Sequence, residues 1–325
     1  MLQLKTTFAG LSLENPIIVG SSGLTDSAEK IKAIEKAGAG AVVLKSVFEE
    51  QIKAESGHMD GYGSPEAENY LQTYVRSHAL SHHVDLIREA KKSCRIPVIA
   101  SINCYSDSEW TDFARLMEEA GADALELNVL SLQTGKEYAY GSFEQRHIEI
   151  LRHIKKAVNI PVIFKLGSNF TNPVALVNQL YANGAAAVVL FNRFYQPDIN
   201  IDSQSLTHIS VLSNPHELAE RIRWTAIASA EVPQLDYAVS GGIYDGKGII
   251  KAILAGASAV EICSAFYQHG LEEAEAMKQT LAEWMKDKGY ESVASFKGKM
   301  NACTVGEVNP FERTQFMKYY SEYKG

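Results

Sequence analysis

Residues 160–192 read IPVIFKLGSNFTNPVALVNQLYANGAAAVVLFN. An apolar run opens at Pro161, a helix-length stretch follows, and a small-residue turn at Asn183 and Gly184 leads into a second apolar run that ends at Asn192. The phrase occurs four times. Its openings are NPIIVG from Asn15, IPVIAS from Ile96, IPVIFK from Ile160 and LDYAVSG from Leu235. Its answers are AGAGAVVLKS from Ala37, AGADALELN from Ala120, NGAAAVVLFN from Asn183 and AGASAVEICS from Ala255. Pro16 to Gly38, Pro97 to Gly121 and Pro161 to Gly184 are 22, 24 and 23 residues apart, so the spacing holds along the chain. Four pairs make eight buried parallel strands with a helix between successive strands, which is an α/β chain of the (β/α)8 TIM-barrel type. Such a barrel carries its chemistry just beyond the C-terminal ends of its strands, so the sequence also says where to look.

The whole chain, 1–325, reads as one barrel domain with insertions. An apolar fraction of 46% is enough to build a full core. The net charge of −8 offers no basic footprint and argues against nucleic acid as a partner. Cys94, Cys104, Cys263 and Cys303 are widely separated, with no spacing that suggests zinc or an iron–sulfur cluster, so no metal is expected. Reduced cysteines suit a cytoplasmic protein. The opening MLQLKTTFAG lacks the basic-then-apolar pattern of a leader, and no apolar run reaches the ~18 residues of a membrane span.

Before the barrel, LKTTFAGLSLENP predicts a short hairpin turning at Ala9 and Gly10. The helices are amphipathic: Ile31 and Ile34 share one face of the first, with Asp26 and Ser27 as candidate caps. Three segments break the rhythm. Residues 47–79 and 193–214 leave strand ends at the barrel mouth, where long loops serve as lids or substrate walls. Residues 287–325 form a C-terminal extension.

The strand ends supply a consistent set of residues. The first strand gives Ser21, Ser22 and Gly23, the second Lys45 and Ser46, the third Asn103, the fourth Asn128 and the fifth Lys165. The sixth gives Asn192 and Arg193, the seventh Ser240, Gly241 and Gly242, and the eighth Cys263 and Ser264. Two lysines and three asparagines converging on one mouth point to a ligand site rather than to solvated rim residues. Glycine-rich turns after the last two strands, with a helix N-terminus, make an anion cradle suited to phosphate.

At these residues the chain resembles the dihydroorotate dehydrogenase family of FMN-dependent barrel flavoproteins. NPIIVGSSG resembles the family's N-P…(A/S)-S-G, LKS its T-K-S, LELN the E-L-N that opens its catalytic loop, and FKL its V-K-L. VSGGI and EICSAF resemble its phosphate loops, and KGYESVASFKGK its C-terminal close. The resemblance implies a soluble, homodimeric enzyme of pyrimidine biosynthesis that moves hydride from dihydroorotate or a relative to flavin N5. It implies FMN held by Ser21, Ser22, Gly23, Lys45, Ser46, Asn103, Asn128, Lys165, Ser240, Gly241, Gly242, Cys263 and Ser264. Lys165 independently suits such a site, because a fixed cation stabilises the negative charge of reduced flavin. Substrate contacts fall to Lys45, Asn128, Asn192 and Arg193, with Lys45 and Ser131 as the catalytic pair. Ser131 takes the base position by its count from Asn128.

The likeness departs from the pattern in two loops. NVLSLQT lacks the Pro-Asn that follows the family's base, and HMDGYGSPEAENY does not match its substrate loop. Two alternatives therefore stand beside dihydroorotate oxidation: another FMN-dependent reductase or dehydrogenase, and a barrel that binds a phosphorylated ligand without redox work.

Overall fold

The computed structural model describes residues 3–48, 81–104, 110–306 and 309–312. Strands β1 (Thr6–Phe8) and β2 (Leu11–Leu13) form the expected antiparallel hairpin. Eight further strands close a parallel barrel: β3 (Ile17–Val19), β4 (Ala41–Val43), β6 (Val98–Asn103), β7 (Ala124–Asn128), β8 (Val162–Leu166), β9 (Ala187–Leu190), β12 (Asp236–Ser240) and β13 (Ala259–Ile262). Each pairs with the next, and β13 pairs with β3 to seal the ring. The short β5 (Val47–Phe48) extends the β6 edge at the mouth.

Helices pack outside. They are α1 (Ala28–Lys36), α2 over 81–93, α3 (Trp110–Glu119), α4 (Ser142–Ala157), α5 (Pro173–Ala182), α6 (Leu218–Glu231), α7 (Gly246–Ala255), α8 (Ser264–His269) and α9 (Glu273–Lys288). The cap of α1 is Ser27, whose hydroxyl accepts from Lys30 N–H at 3.4 Å, while Asp26 pairs with the Lys30 ammonium. Each barrel strand splits its side chains between two cores. Outward residues such as Val42, Leu125, Phe164 and Val188 pack against the helices. Inward residues Ile18, Ala41, Ile99, Ala124, Ile163, Ala187, Ala238 and Ala259 fill the barrel floor, which Phe8 and Leu13 of the hairpin plug from below.

This alternation positions the site. Two residues along each strand from the apolar floor, on the same inward face, stand Ser101, Glu126, Lys165, Ser240 and Glu261. The barrel is dry at its base and charged near its top.

The insertion at 193–214 forms an antiparallel hairpin, β10 (Pro197–Asn200) with β11 (Ser205–His208), whose residues are all exposed. Of the insertion at 47–79, residues from 49 onward lie outside the described set. In the extension, the N–H groups of Gly298, Met300 and Ala302 donate to carbonyls of Ile253, Leu254 and Ala226, tying it to α6 and α7. The extension ends with α10 (Asn309–Glu312) among the described residues.

Candidate active site

A cavity of about 550 Å³ opens at the C-terminal ends of the strands. Its wall includes Ser21, Ser22, Gly23, Lys45, Lys165, Asn192, Arg193, Ser240, Gly241, Gly242, Cys263 and Ser264, twelve of the residues read from the strand ends. Asn103, Ser46, Asn128 and Ser131 are not on this wall. Ser46 is buried behind it, its Oγ 3.0 Å from Ser21 Oγ and 2.8 Å from Ser101 Oγ. Asn128 is also buried: its amide donates to Ser101 Oγ at 3.2 Å and to Glu126 Oε1 at 3.3 Å, and its Oδ1 accepts from Asn192 Nδ2 at 3.0 Å. These two residues shape the wall from behind. Asn103 stands beside Asn128 at the end of β6. Ser131 is partly buried on the loop after β7, where its hydroxyl accepts from Gln133 Nε2 at 3.1 Å and its carbonyl from Asn169.

Lys165 is the electrostatic centre. Its Nζ lies 2.6 Å from Glu261 Oε2 and 3.7 Å from Glu126 Oε1, with the side chain 8% exposed. Burial alone would push the ammonium down, but Glu126 and Glu261 outweigh it and the net shift is upward. Lys165 is therefore charged at any working pH. Glu126 moves upward through burial, reinforced by the Glu261 charge and opposed by Lys165. Neither glutamate was singled out from the sequence, although a signal existed: Glu126 and Glu261 sit two residues before Asn128 and Cys263, on the same inward face. Burial pushes the neighbouring Cys263 up to about 11, partly offset by Lys165, so it is a thiol near neutral pH.

The glycine turn after β12 has the backbone an anion cradle needs. Gly241 and Gly242 adopt φ of 94° and 78°. A Cβ on Gly242 would lie 2.5 Å from Leu218 N, so only glycine fits there. Behind the turn, the buried Arg221 donates from Nε to Ser240 O at 3.3 Å and pairs with Glu217. In front of it, Gly242 N–H donates to Ser213 Oγ at 3.2 Å, and Ser213 bonds Ser264 Oγ through both N–H and hydroxyl at 3.0 Å. Ser213, from the end of the 193–214 insertion, carries no sequence signal that marks it as a site residue.

Arg193 is held by its neighbours. Nε donates to Glu217 Oε1 at 3.2 Å and Nη1 to the carbonyls of Ser210 and Val211 at 2.7 and 2.8 Å. Its acidic partner is Glu217, the residue that also holds Arg221. One carboxylate thus ties the insertion to the start of α6.

This donor set suits a flavin cofactor. A cavity of this size falls within the ~300–1,000 Å³ of small-molecule sites. It joins a glycine cradle for a phosphate to a buried ammonium for an electron-rich ring edge.

A sequence profile of the dihydroorotate dehydrogenase family matches residues 3–285. The catalytic subunit of dihydroorotate dehydrogenase B (NAD(+)) from Thermoplasma volcanium is 31% identical over 311 residues, covering 92% of this chain and 98% of that protein. The corresponding subunit from Methanocaldococcus jannaschii is 24% identical, covering 88% and 94%. The NAD-dependent dihydropyrimidine dehydrogenase subunit PreA from Escherichia coli K12 is 23% identical, covering 92% of this chain and 77% of that protein. No helix of the described residues is long and apolar enough to cross a membrane. The profile match over most of its length, together with the barrel and its charged mouth, makes the chain a member of the dihydroorotate dehydrogenase family, oxidoreductases that act on CH–CH bonds.

Proposed function

We propose that the cavity binds FMN and that the protein oxidises dihydroorotate or a closely related dihydropyrimidine. The observation that carries this reading is the pairing of the Gly241–Gly242 cradle with the buried Lys165 on one cavity wall. When bound, the flavin supplies the two-electron acceptor.

The protein's own residues do the rest. Gly241, Gly242, Ser240 and Ser264 hold the phosphate. Ser21, Ser22 and Gly23 present backbone to the ring, supported from behind by Ser46. Lys165 places positive charge where reduced flavin gathers negative charge, and Lys45 orients ring and substrate from the mouth. Asn192, held by Asn128, presents its amide to a cyclic-amide substrate, with Asn103 alongside. Ser131, partly exposed on the loop after β7, takes a proton from the carbon next to the one that loses hydride while its own hydroxyl proton passes to solvent, so a C–C single bond becomes double. Arg193 braces the insertion as the substrate wall, and its Nη2, which carries no described bond, faces an anionic group such as a carboxylate.

The likeness to PreA supports a second substrate, a dihydropyrimidine without a carboxylate. Cys94, Cys104, Cys263 and Cys303 form no disulfide with one another, in keeping with a cytoplasmic setting.

Anaerobic stopped-flow mixing tests both readings. We expect dihydroorotate to bleach the bound flavin faster than dihydrouracil does, and Ser131→Ala to slow bleaching at unchanged flavin content. Bleaching by neither compound would remove this substrate class. An unchanged rate in the variant would remove Ser131 as the base.

A further inference from the structure

Glu126 on β7, Lys165 on β8 and Glu261 on β13 meet inside the barrel beneath the cavity. Glu126 is 0% exposed and Glu261 2%. Two carboxylates and one ammonium leave a net negative charge, which such surroundings strongly disfavour. The hydrogen bonds point to the remedy. Glu126 Oε2 and Glu261 Oε1 are buried without a partner, and the two side chains flank one ammonium, with Lys165 Nζ 3.7 Å from Glu126 Oε1 and 2.6 Å from Glu261 Oε2. Two carboxylates cannot bond, whereas a carboxylic acid and a carboxylate can. One proton satisfies both orphaned oxygens and makes the cluster neutral.

The neighbours decide which residue carries it. Glu261 Oε2 has the Lys165 ammonium at 2.6 Å. Glu126 Oε1 accepts from the neutral groups Asn128 Nδ2 at 3.3 Å and Ser101 Oγ at 3.5 Å and stands farther from the ammonium, at 3.7 Å. Burial and the adjacent Glu261 charge both favour the acid form of Glu126. Cys263, the other titratable group facing this cluster, is a thiol and adds no charge.

We propose that Glu126, as a carboxylic acid, and Glu261, as a carboxylate, share one proton and together position the Lys165 ammonium beneath the cavity. What the ammonium does for a bound flavin rests on the reading above; the acid pair itself does not. Glu261 fixes the ammonium on the β13 side, and the Glu126 hydroxyl fixes the other oxygen of Glu261. Ser101, Ser46 and Ser21 link the pair to the cavity wall through hydroxyls 2.8 and 3.0 Å apart. That chain gives the proton a route for exchange.

Infrared difference spectra of the parent protein against E126Q and E261Q read the C=O stretch of a protonated carboxylic acid. They are recorded on the protein as purified and again after cofactor removal. The parent shows the band in both preparations. E126Q abolishes it by removing the acid. E261Q abolishes it too, because Glu126 then ionises as the sole counter-ion of Lys165. A structural acid unconnected to Lys165 would vanish in one variant only. E126Q also keeps an N–H donor for Glu261 Oε1, so its melting temperature stays near that of the parent, whereas E126L melts lower. A parent without the band, or an E261Q variant that retains it, overturns the acid pair. Flavin content, measured on the same samples, reports separately on the cofactor: the band without flavin would leave the pair standing and remove the flavin reading.

Discussion

Replacing Lys165 by Met keeps a side chain of similar length in the barrel and removes the ammonium. Glu261 then faces the interior with no cation at 2.6 Å. Breaking a buried pair from one side costs about 3–5 kcal/mol. In an E261Q background no such carboxylate is left to strand, so the same substitution there costs far less. Urea unfolding of the parent, the two single variants and the double variant, all without flavin, closes this cycle and gives the coupling between the two residues. An equal loss for Lys165→Met in both backgrounds would refute the reasoning and make Lys165 a packing residue.

His147 is fully buried among Phe143, Phe164 and Phe170, its Nδ1–H donating to the Phe143 carbonyl at 2.7 Å, and burial lowers its pKa to about 4. Its contribution is complete above about 6.5 and is lost as pH falls toward 4, because the unfolded chain binds the proton first; about 3 kcal/mol of acid destabilisation should disappear in His147→Phe, and an unchanged stability–pH slope would contradict this. The exposed Ile199, Ile201 and Leu206 on the 193–214 hairpin support a homodimer through that surface. Sedimentation should show a dimer that Ile201→Asp converts to monomer, and a monomeric parent would remove the proposal.

The barrel was legible because its signal is repeated. Four copies of one phrase, each with an apolar run on either side of a helix-length gap, leave few other architectures. The cavity wall was legible because strand ends are counted from those same runs, which is how Lys165, Asn192 and Gly242 were reached. Contacts between distant segments were not. Glu217 lies 24 residues from Arg193 and is brought to it by the path of the insertion. Ser213 reaches Gly242 only because that insertion folds back over the mouth. Glu126 and Glu261 lie inside apolar runs, which mask them. Their inward parity, two residues above Ala124 and Ala259 of the floor, is the signal that marks them in the sequence.

Whether the cavity holds FMN is decided by releasing and identifying what the protein carries. Acid-released ligand from the purified protein, identified by mass and absorbance, should be FMN in stoichiometric amount. Gly242→Asp, which adds a side chain and a negative charge where φ is 78° and Leu218 N would lie 2.5 Å away, should retain the barrel's far-ultraviolet dichroism and lose most of the flavin. A parent that carries no flavin, or a Gly242→Asp protein that keeps its full complement, would contradict the account.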